Sequence, residues 1–131
     1  MCVCACVRVS VCACVCVLVN TAVYIEEAHP TDGWAFPDNV SIMQHRSLDD
    51  RLSAAAQLVA SARSSLPANM SVVVDTMSNE LSLAYGGLPD RLYVIHDGAV
   101  AFQGDPGPYG FRPEPVASWL QTHRRNTLHH D

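Results

Sequence analysis

The positions of hydrophobic and polar residues predict a chain of alternating strands and helices. The continuous apolar run LVNTAVYI (18–25) is rich in β-branched residues, which is typical of a buried strand. Apolar residues then recur at helical spacing through SLDDRLSAAAQLVASARSSL (47–66), where Ser47 supplies an N-cap ahead of acidic residues. We expect this helix to bury one apolar stripe, formed by Leu48, Leu52, Ala55, Ala56 and Val59.

The second half of the chain continues the alternation and closes with a hairpin and a helix. The hairpin signal is His96-Asp97-Gly98 between two strand-like runs. We expect Asp75 to cap the helix that follows it, and we do not expect a cis bond before Pro89. This order predicts an α/β fold with the terminal hairpin and helix of thioredoxin-like folds. The predicted segments are MSVVVDT (70–76, strand), SNELSLAYGG (78–87, helix), RLYVI (91–95, strand), AVAFQ (99–103, strand) and PEPVASWLQTHRR (113–125, helix).

The N-terminal segment MCVCACVRVSVCACVCVLVN differs from the rest because it holds all six cysteines and a single charge. The cysteines alternate with Val or Ala, so they share one face of a strand, a spacing that suits neither a zinc site nor a disulfide framework. An alternating TG dinucleotide repeat reads Cys-Val in translation, and we interpret the segment as such a low-complexity repeat. We therefore divide the chain into a repeat outside the native domain (1–19), the domain (20–123) and a frayed tail (124–131).

Charge and loop length narrow the function. The net charge of −5 at pH 7 offers no basic patch, which argues against nucleic acid as a partner. Because the N terminus is apolar, a weak membrane segment or a signal peptide is an alternative interpretation. Arg8 and Ser10, near the middle of the segment, argue against a membrane span. A long loop with Pro30, Gly33 and Pro37 connects the first strand to the first helix, and such loops in compact domains are usually functional.

This loop and the segments after it carry motifs that are specific to one enzyme family. They read YIEEAHPTDGWAF (24–36), QHRSLDDRLSAAAQL (44–58), VVVDTMSN (72–79), AYGGLPDRLYVIHDG (84–98) and GPYGF (107–111). Taken in this order, they resemble the iodothyronine deiodinases over residues 21–120. The WAFPDNV loop and the LPDRLYVI stretch are more similar to the type 1 enzyme than to types 2 and 3.

The resemblance implies an oxidoreductase of thyroid hormone metabolism, which removes iodide reductively from iodothyronines such as thyroxine. In this family a selenocysteine is the nucleophile and a thiol reductant is the co-substrate, so we expect no bound cofactor and no metal. The implied fold is thioredoxin-like with peroxiredoxin-like features. The implied partners are the iodothyronine substrate and a second copy of the chain. The full-length protein is expected to be anchored in the endoplasmic reticulum or plasma membrane.

The resemblance also assigns roles to individual residues. His29 of EEAHP and His45 before RSL match histidines of the substrate pocket, where an imidazole suits catalytic proton donation near neutral pH. Arg91 matches a substrate-binding arginine, whose planar guanidinium suits a carboxylate or phenolate. Glu27 is expected to pass protons toward the nucleophile, with Tyr24 behind it in the same network.

Each of these roles has a structural alternative. Glu27 would be a solvated acid at a strand end, Tyr24 a core aromatic, and Arg91 the ion-pair partner of a nearby aspartate. Trp34 and Phe36 either form an apolar wall against an iodinated ring or anchor the loop. We expect the remaining histidines to be surface residues: His96, His123, His129 and His130.

The chain departs from the family in one large respect. Deiodinases carry selenocysteine on a strand-turn-helix unit upstream of the strand that matches AVYIEE, and no such stretch precedes Thr21. The missing strand belongs between the strands VYI and RLYVI, so the sequence predicts an incomplete thioredoxin-like (peroxiredoxin-like) fold. If the β-prone repeat pairs with AVYI, we expect it to fill this empty place.

Three functional hypotheses follow. In the first, the chain is part of a deiodinase domain and, without the selenocysteine, is poorly stable and inactive alone. In the second, it is a peroxiredoxin-like or thioredoxin-like thiol oxidoreductase that uses an N-terminal cysteine, which requires a thiolate at a helix start. In the third, it is a non-catalytic fragment that dimerises with a full-length deiodinase.

Overall fold

A computed structural model of the chain describes residues 3–12, 15–35, 40–68 and 70–128, with side-chain environments for 20–35, 40–68 and 70–123. The elements follow the predicted order, with one strand added at the N terminus. They are β1 (Val3–Cys12), β2 (Val15–Tyr24), α1 (Leu48–Ser61), β3 (Met70–Val74), α2 (Glu80–Tyr85), β4 (Leu92–His96), β5 (Ala99–Gln103) and α3 (Glu114–Leu128). The mixed α/β class is therefore confirmed.

The strands of the described residues form one five-stranded sheet in the order β3-β2-β1-β4-β5. β2 is parallel to β3, β1 is antiparallel to β2 and parallel to β4, and β5 is antiparallel to β4. Tyr24 at the end of β2 pairs with both Val3 and Val74. The carboxyl ends of β2 and β3 thus share one edge of the sheet with the amino ends of β1 and β4. The loop after β2 starts at this edge.

The Cys/Val repeat supplies the central strand of this sheet. β1 pairs along its whole length with β2, and residues 5–9 pair at the same time with β4. It lies between β2 and β4 and pairs with the AVYI segment of β2. Alternating β-branched residues favour a strand, which is the local reason for this pairing. The division of the chain at residue 19 is a statement about the native domain and stays a prediction.

α1 buries a different face from the predicted one. Leu48 and Leu52 are each 47% exposed, and of the predicted stripe only Ala55 is buried. The buried residues are instead Arg51, Ala54 and Ala55. The predicted stripe is therefore wrong, and the reason is tertiary. The Arg51 side chain reaches backbone carbonyls that follow β3, which sets the rotation of α1 about its axis.

Asp75 caps α2, as predicted. Its carboxylate accepts hydrogen bonds from the backbone N–H groups of Leu81 at 3.0 Å and Ser82 at 2.8 Å. The residue at the N-cap position, Asn79, makes no side-chain capping bond, so a distant carboxylate satisfies the helix end. Asp75 thereby joins the end of β3 to α2.

The C-terminal elements agree with the prediction except in two details. Asp97 and Gly98 both have positive φ, 49° and 78°, as the tight β4–β5 hairpin requires. The Leu88–Pro89 peptide bond is cis, so the expectation there was wrong. α3 continues to Leu128, beyond the predicted end at residue 125, and its Val116 packs on β4.

Candidate active site

The loop after β2 is tied to itself rather than left open. The Thr31 N–H donates to the Ile42 carbonyl at 2.8 Å, and the Gln44 N–H donates to the Asp32 carboxylate at 2.7 Å. The bond from Gln44 is the main reason that the pKa of Asp32 lies below its usual value. The two limbs of the loop are therefore held together, and its polar side chains keep fixed positions at the sheet edge.

Glu27 is a buried carboxyl group at the start of this loop, with only 4% of the residue exposed. The Tyr24 hydroxyl donates a hydrogen bond to Glu27 Oε1, which joins a phenol and a carboxyl group in one pair. The Gln44 carboxamide accepts from the Glu27 N–H at 3.3 Å and donates to the Glu27 carbonyl at 3.1 Å. The structure thus brings the two predicted proton-network residues into contact, and Glu27 is not a solvated acid.

His45 lies against this pair and is 7% exposed. Its ring contacts the Tyr24 ring, with centroids 5.6 Å apart. Its Nδ1 accepts a hydrogen bond from Arg51 Nε at 3.4 Å, and its Nε2 is buried without a hydrogen-bond partner among the described residues. Burial, and then the charge of Arg51, lower the pKa of His45, while the charge of Glu27 opposes them. Burial and the neighbouring guanidinium therefore favour the uncharged imidazole.

Two residues of this cluster, Gln44 and Arg51, were not identified from the sequence. Gln44 stands directly before His45 in the QHRSL motif, which was the available signal. Arg51 gave a weaker signal, because an arginine in the second turn of a helix usually faces solvent. It is instead 2% exposed, and its Nη1 donates to the carbonyls of Asp75 at 3.3 Å and Thr76 at 2.6 Å.

His29 and Trp34 form a second group, within the loop itself. His29 Nδ1 lies 3.1 Å from the Trp34 carbonyl oxygen, and the two rings meet edge-on with centroids 5.1 Å apart. The Trp34 side chain is largely exposed, at 74%. It presents an apolar surface next to a half-buried imidazole. Phe36, the other predicted wall residue, lies outside the described residues.

Arg91 stands at the same sheet edge but in another set of contacts. Its Nε donates to the Gly104 carbonyl at 2.8 Å, its Nη1 donates to the Tyr85 carbonyl at 3.4 Å, and its guanidinium lies 5.5 Å from the Tyr93 ring centre. β1 separates its strand from β2, and two strand spacings amount to about 10 Å. The structure therefore groups Tyr24, Glu27 and His45, and places Arg91 across β1 from them.

Two of the histidines expected at the surface, His96 and His123, are half-buried, and their Nε2 atoms lie 3.3 Å apart. His129 and His130 lie outside the described residues.

Within the described part of the chain, no group of three or more His, Cys, Asp or Glu side chains has a metal-binding arrangement. Across those same residues, no helix has the length and apolar character needed to cross a bilayer.

Comparison with known proteins identifies the family. The family profile described as iodothyronine deiodinase matches residues 11–124. The chain is 46% identical over 99 residues to a type I iodothyronine deiodinase of Xenopus laevis, covering 76% of this chain and 37% of that protein. It is 48% identical over 100 residues to a thyroxine 5-deiodinase of Sus scrofa, covering 76% and 31% of the two chains. This chain thus spans about a third of the length of these curated relatives. The sequence belongs to the iodothyronine deiodinase family.

Proposed function

We propose that this chain forms the substrate-binding and proton-donating part of a deiodinase active site. The reaction is the reductive removal of iodide from an iodothyronine such as thyroxine, with a thiol as reductant. The observation that carries the proposal is the buried cluster of Tyr24, Glu27 and His45 at the sheet edge. A phenol, a carboxyl group and an uncharged imidazole in contact provide proton donors where water has little access.

The chemistry explains why such donors are needed. A selenolate takes the iodine, the carbon–iodine bond breaks, and the ring carbon that keeps the electron pair takes up one proton. Two thiols then return the nucleophile and release iodide, so the net change is aryl iodide plus two thiols to arene, disulfide, iodide and one proton. In this proposal His45 donates the proton from Nε2 to the ring carbon. The imidazole then regains one of the two protons that the thiols release, with Tyr24 and Glu27 as the neighbouring groups that relay it.

The other predicted residues bind the substrate in this proposal. His29 and Trp34 hold the iodinated ring from the loop side, since the indole is exposed and lies against the imidazole. Arg91 binds the charged end of the substrate from across β1. The distance of about two strand spacings between the groups suits a molecule with two linked rings.

The chain is further proposed to adopt the thioredoxin-like arrangement, with β1 in the place of the nucleophile-bearing strand. The parallel pair β2 and β3 and the closing β4–β5 hairpin support this. Homodimerisation and membrane association are expected of the full-length protein. The thiol oxidoreductase alternative has less support, because none of the three described helices carries a cysteine in its first turn.

Thyroxine binding tests the proposal directly. The heavy iodine atoms should quench the fluorescence of Trp34 when thyroxine is added to the purified chain. Changing His29→Ala or Arg91→Ala should weaken binding by about tenfold or more, since each removes one polar contact to the ligand. The control is His96→Ala, which removes a histidine away from the loop. Thyroxine that fails to bind, or that binds equally to all variants, would contradict the proposal.

Iodide release provides the second measurement. We expect no release of labelled iodide from the purified chain with dithiothreitol, because all six cysteines lie before residue 17 and none is in the setting of the family's selenocysteine. Activity above a heat-treated control would show that this chain supplies its own nucleophile.

A further inference from the structure

We propose that Arg51 is a positioning residue, which fixes His45 in the tautomer that carries its proton on Nε2. The functional importance of this tautomer rests on the proposed function, in which His45 Nε2 donates a hydrogen bond to the ligand. The inference is based on hydrogen bonds within the chain itself. The family motifs did not assign Arg51 to the site.

The first step is that the Arg51 guanidinium is held in one orientation. Its Nη1 donates to the carbonyls of Asp75 and Thr76, at 3.3 and 2.6 Å, directly after β3. The residue is 2% exposed, so no bulk water competes for these bonds. A planar group anchored at one end by two acceptors has little freedom at the other. Its Nε–H is therefore directed at His45 Nδ1, 3.4 Å away.

The second step concerns which imidazole nitrogen holds the proton. A guanidinium has only donors and stays charged, so the nitrogen that faces it must accept. In a neutral imidazole the other nitrogen then bears the hydrogen. The positive charge of Arg51 and burial both disfavour an imidazolium, which agrees with the lowered pKa of His45. The opposing acidic groups that act on His45 are Glu27, Asp50 and Glu26.

The third step is that the resulting N–H has no acceptor inside the described part of the chain. His45 Nε2 is fully buried and unpartnered there. A buried donor without an acceptor destabilises the folded state, and folded domains rarely keep one unless a ligand supplies the acceptor. Arg51 thus keeps the His45 N–H on Nε2, where it can face a ligand, rather than on Nδ1, which faces the Arg51 guanidinium. This is a positioning role, since the side-chain hydrogen bonds of Arg51 within the described part of the chain go to His45 and to backbone carbonyls.

The tautomer can be measured without any ligand or activity. Long-range ¹H–¹⁵N spectra of the full chain with labelled histidine distinguish the two tautomers and the imidazolium, and His45→Gln assigns the signal. We expect the Nε2–H pattern at pH 7 in the native chain. Arg51→Met should give a mixture of tautomers, because it removes the donor to Nδ1. The matched control is Arg63→Met, at an exposed position after the same helix.

Several results would overturn the inference. A native His45 with its proton on Nδ1 would do so, as would an unchanged spectrum in Arg51→Met. If Arg51→Met does not fold, Arg51→Lys replaces it: lysine keeps a charge but lacks the planar fork, so the tautomer ratio should still shift. An unshifted ratio in Arg51→Lys would count against the inference.

Thyroxine binding separates this inference from the proposed function. Arg51→Met should lower thyroxine affinity about tenfold, and Arg51→Lys should recover part of it. If the tautomer shifts but thyroxine binds to no form of the chain, only the proposed function fails. If thyroxine binds and responds to His29→Ala, but Arg51 variants leave both the tautomer and the affinity unchanged, only the role of Arg51 fails.

Discussion

Burial and the guanidinium of Arg51 lower the pKa of His45, while the acidic groups Glu27, Asp50 and Glu26 oppose them. Burial and Arg51 together outweigh the three acidic groups. Single residues therefore decide the protonation state that the site presents. Because the pKa of His45 is lowered in the folded state, His45 should contribute to the pH dependence of the free energy of unfolding.

His45→Gln should flatten the pH dependence of stability on the acidic side of neutrality. The folded pKa of His45 lies below the unfolded value of 6.5, so the unfolded state binds more protons. The contribution of His45 is complete above pH 6.5 and is lost as the pH falls from there through the folded pKa. Its slope is at most about 1.4 kcal/mol per pH unit, the limit for one proton.

Urea unfolding of the native chain and the variant, at intervals between pH 5 and 8, measures this difference. His96→Gln serves as the control, because it removes a histidine from another part of the fold. Parallel stability curves for the native chain and His45→Gln would show that burial does not hold His45 in its neutral form.

At the scale of elements, α1 is the part that links sequence signals to the site. Its start is a capping box: the Ser47 hydroxyl accepts from the Asp50 N–H at 3.2 Å, and the Asp50 carboxylate accepts from the Ser47 N–H at 2.9 Å. The helix also carries Arg51, so its first turns place the group that contacts His45. Loss of the cap should therefore weaken both the helix and the loop before it.

Ser47→Ala should lower the free energy of unfolding by about 1 kcal/mol, because an N-cap acceptor is lost. Ser53→Ala is the matched control, since Ser53 is exposed inside the same helix, where alanine is the better helix former. Urea titration of both variants gives the comparison. Equal stability of the two variants would mean that the capping box contributes nothing measurable.

The sequence predicted these elements well because their signals are local. The Ser47 cap and the Asp97-Gly98 turn act on backbone groups within a few residues, and the carboxylate of Asp75 acts on N–H groups six and seven residues later. The buried face of α1 was not predicted, because Leu48 and Leu52 read as core by spacing alone. Which face turns inward depends on acceptors supplied by the distant residues Asp75 and Thr76.

For the whole molecule, the decisive feature is that β1 is the only described strand that joins β2 to β4. Without it, the sheet would separate into a β3–β2 pair and a β4–β5 hairpin, and each would expose an unpaired edge. The stability of the chain therefore depends on the Cys/Val repeat. Whether that repeat belongs to the native domain is a separate matter, and the expectation of poor stability stays a prediction.

Val7→Pro should disrupt the fold more than Val11→Pro. Val7 pairs with Asn20 on one side and Val94 on the other, whereas the described pairing of Val11 is with Cys16 in β2. A proline at the doubly paired position removes a ladder donor from the sheet centre, at a cost of about 1–3 kcal/mol. Thermal unfolding followed by circular dichroism measures both. Similar melting curves for the two variants would show that β1 does not form the sheet centre.

The sequence by itself determined the order of the elements after the N-terminal repeat, the α/β class, the family and the identity of Tyr24, Glu27, His29, His45 and Arg91 as candidates. Periodicity, caps and motifs are properties of neighbouring residues, so they can be read along the chain. The tertiary structure decided which of these candidates meet, that Arg51 contacts His45, and that the repeat lies between β2 and β4. Those outcomes depend on contacts between distant parts of the chain, such as the bonds from Arg51 to the Asp75 and Thr76 carbonyls and the pairing of β1 with β4, which local patterns do not encode.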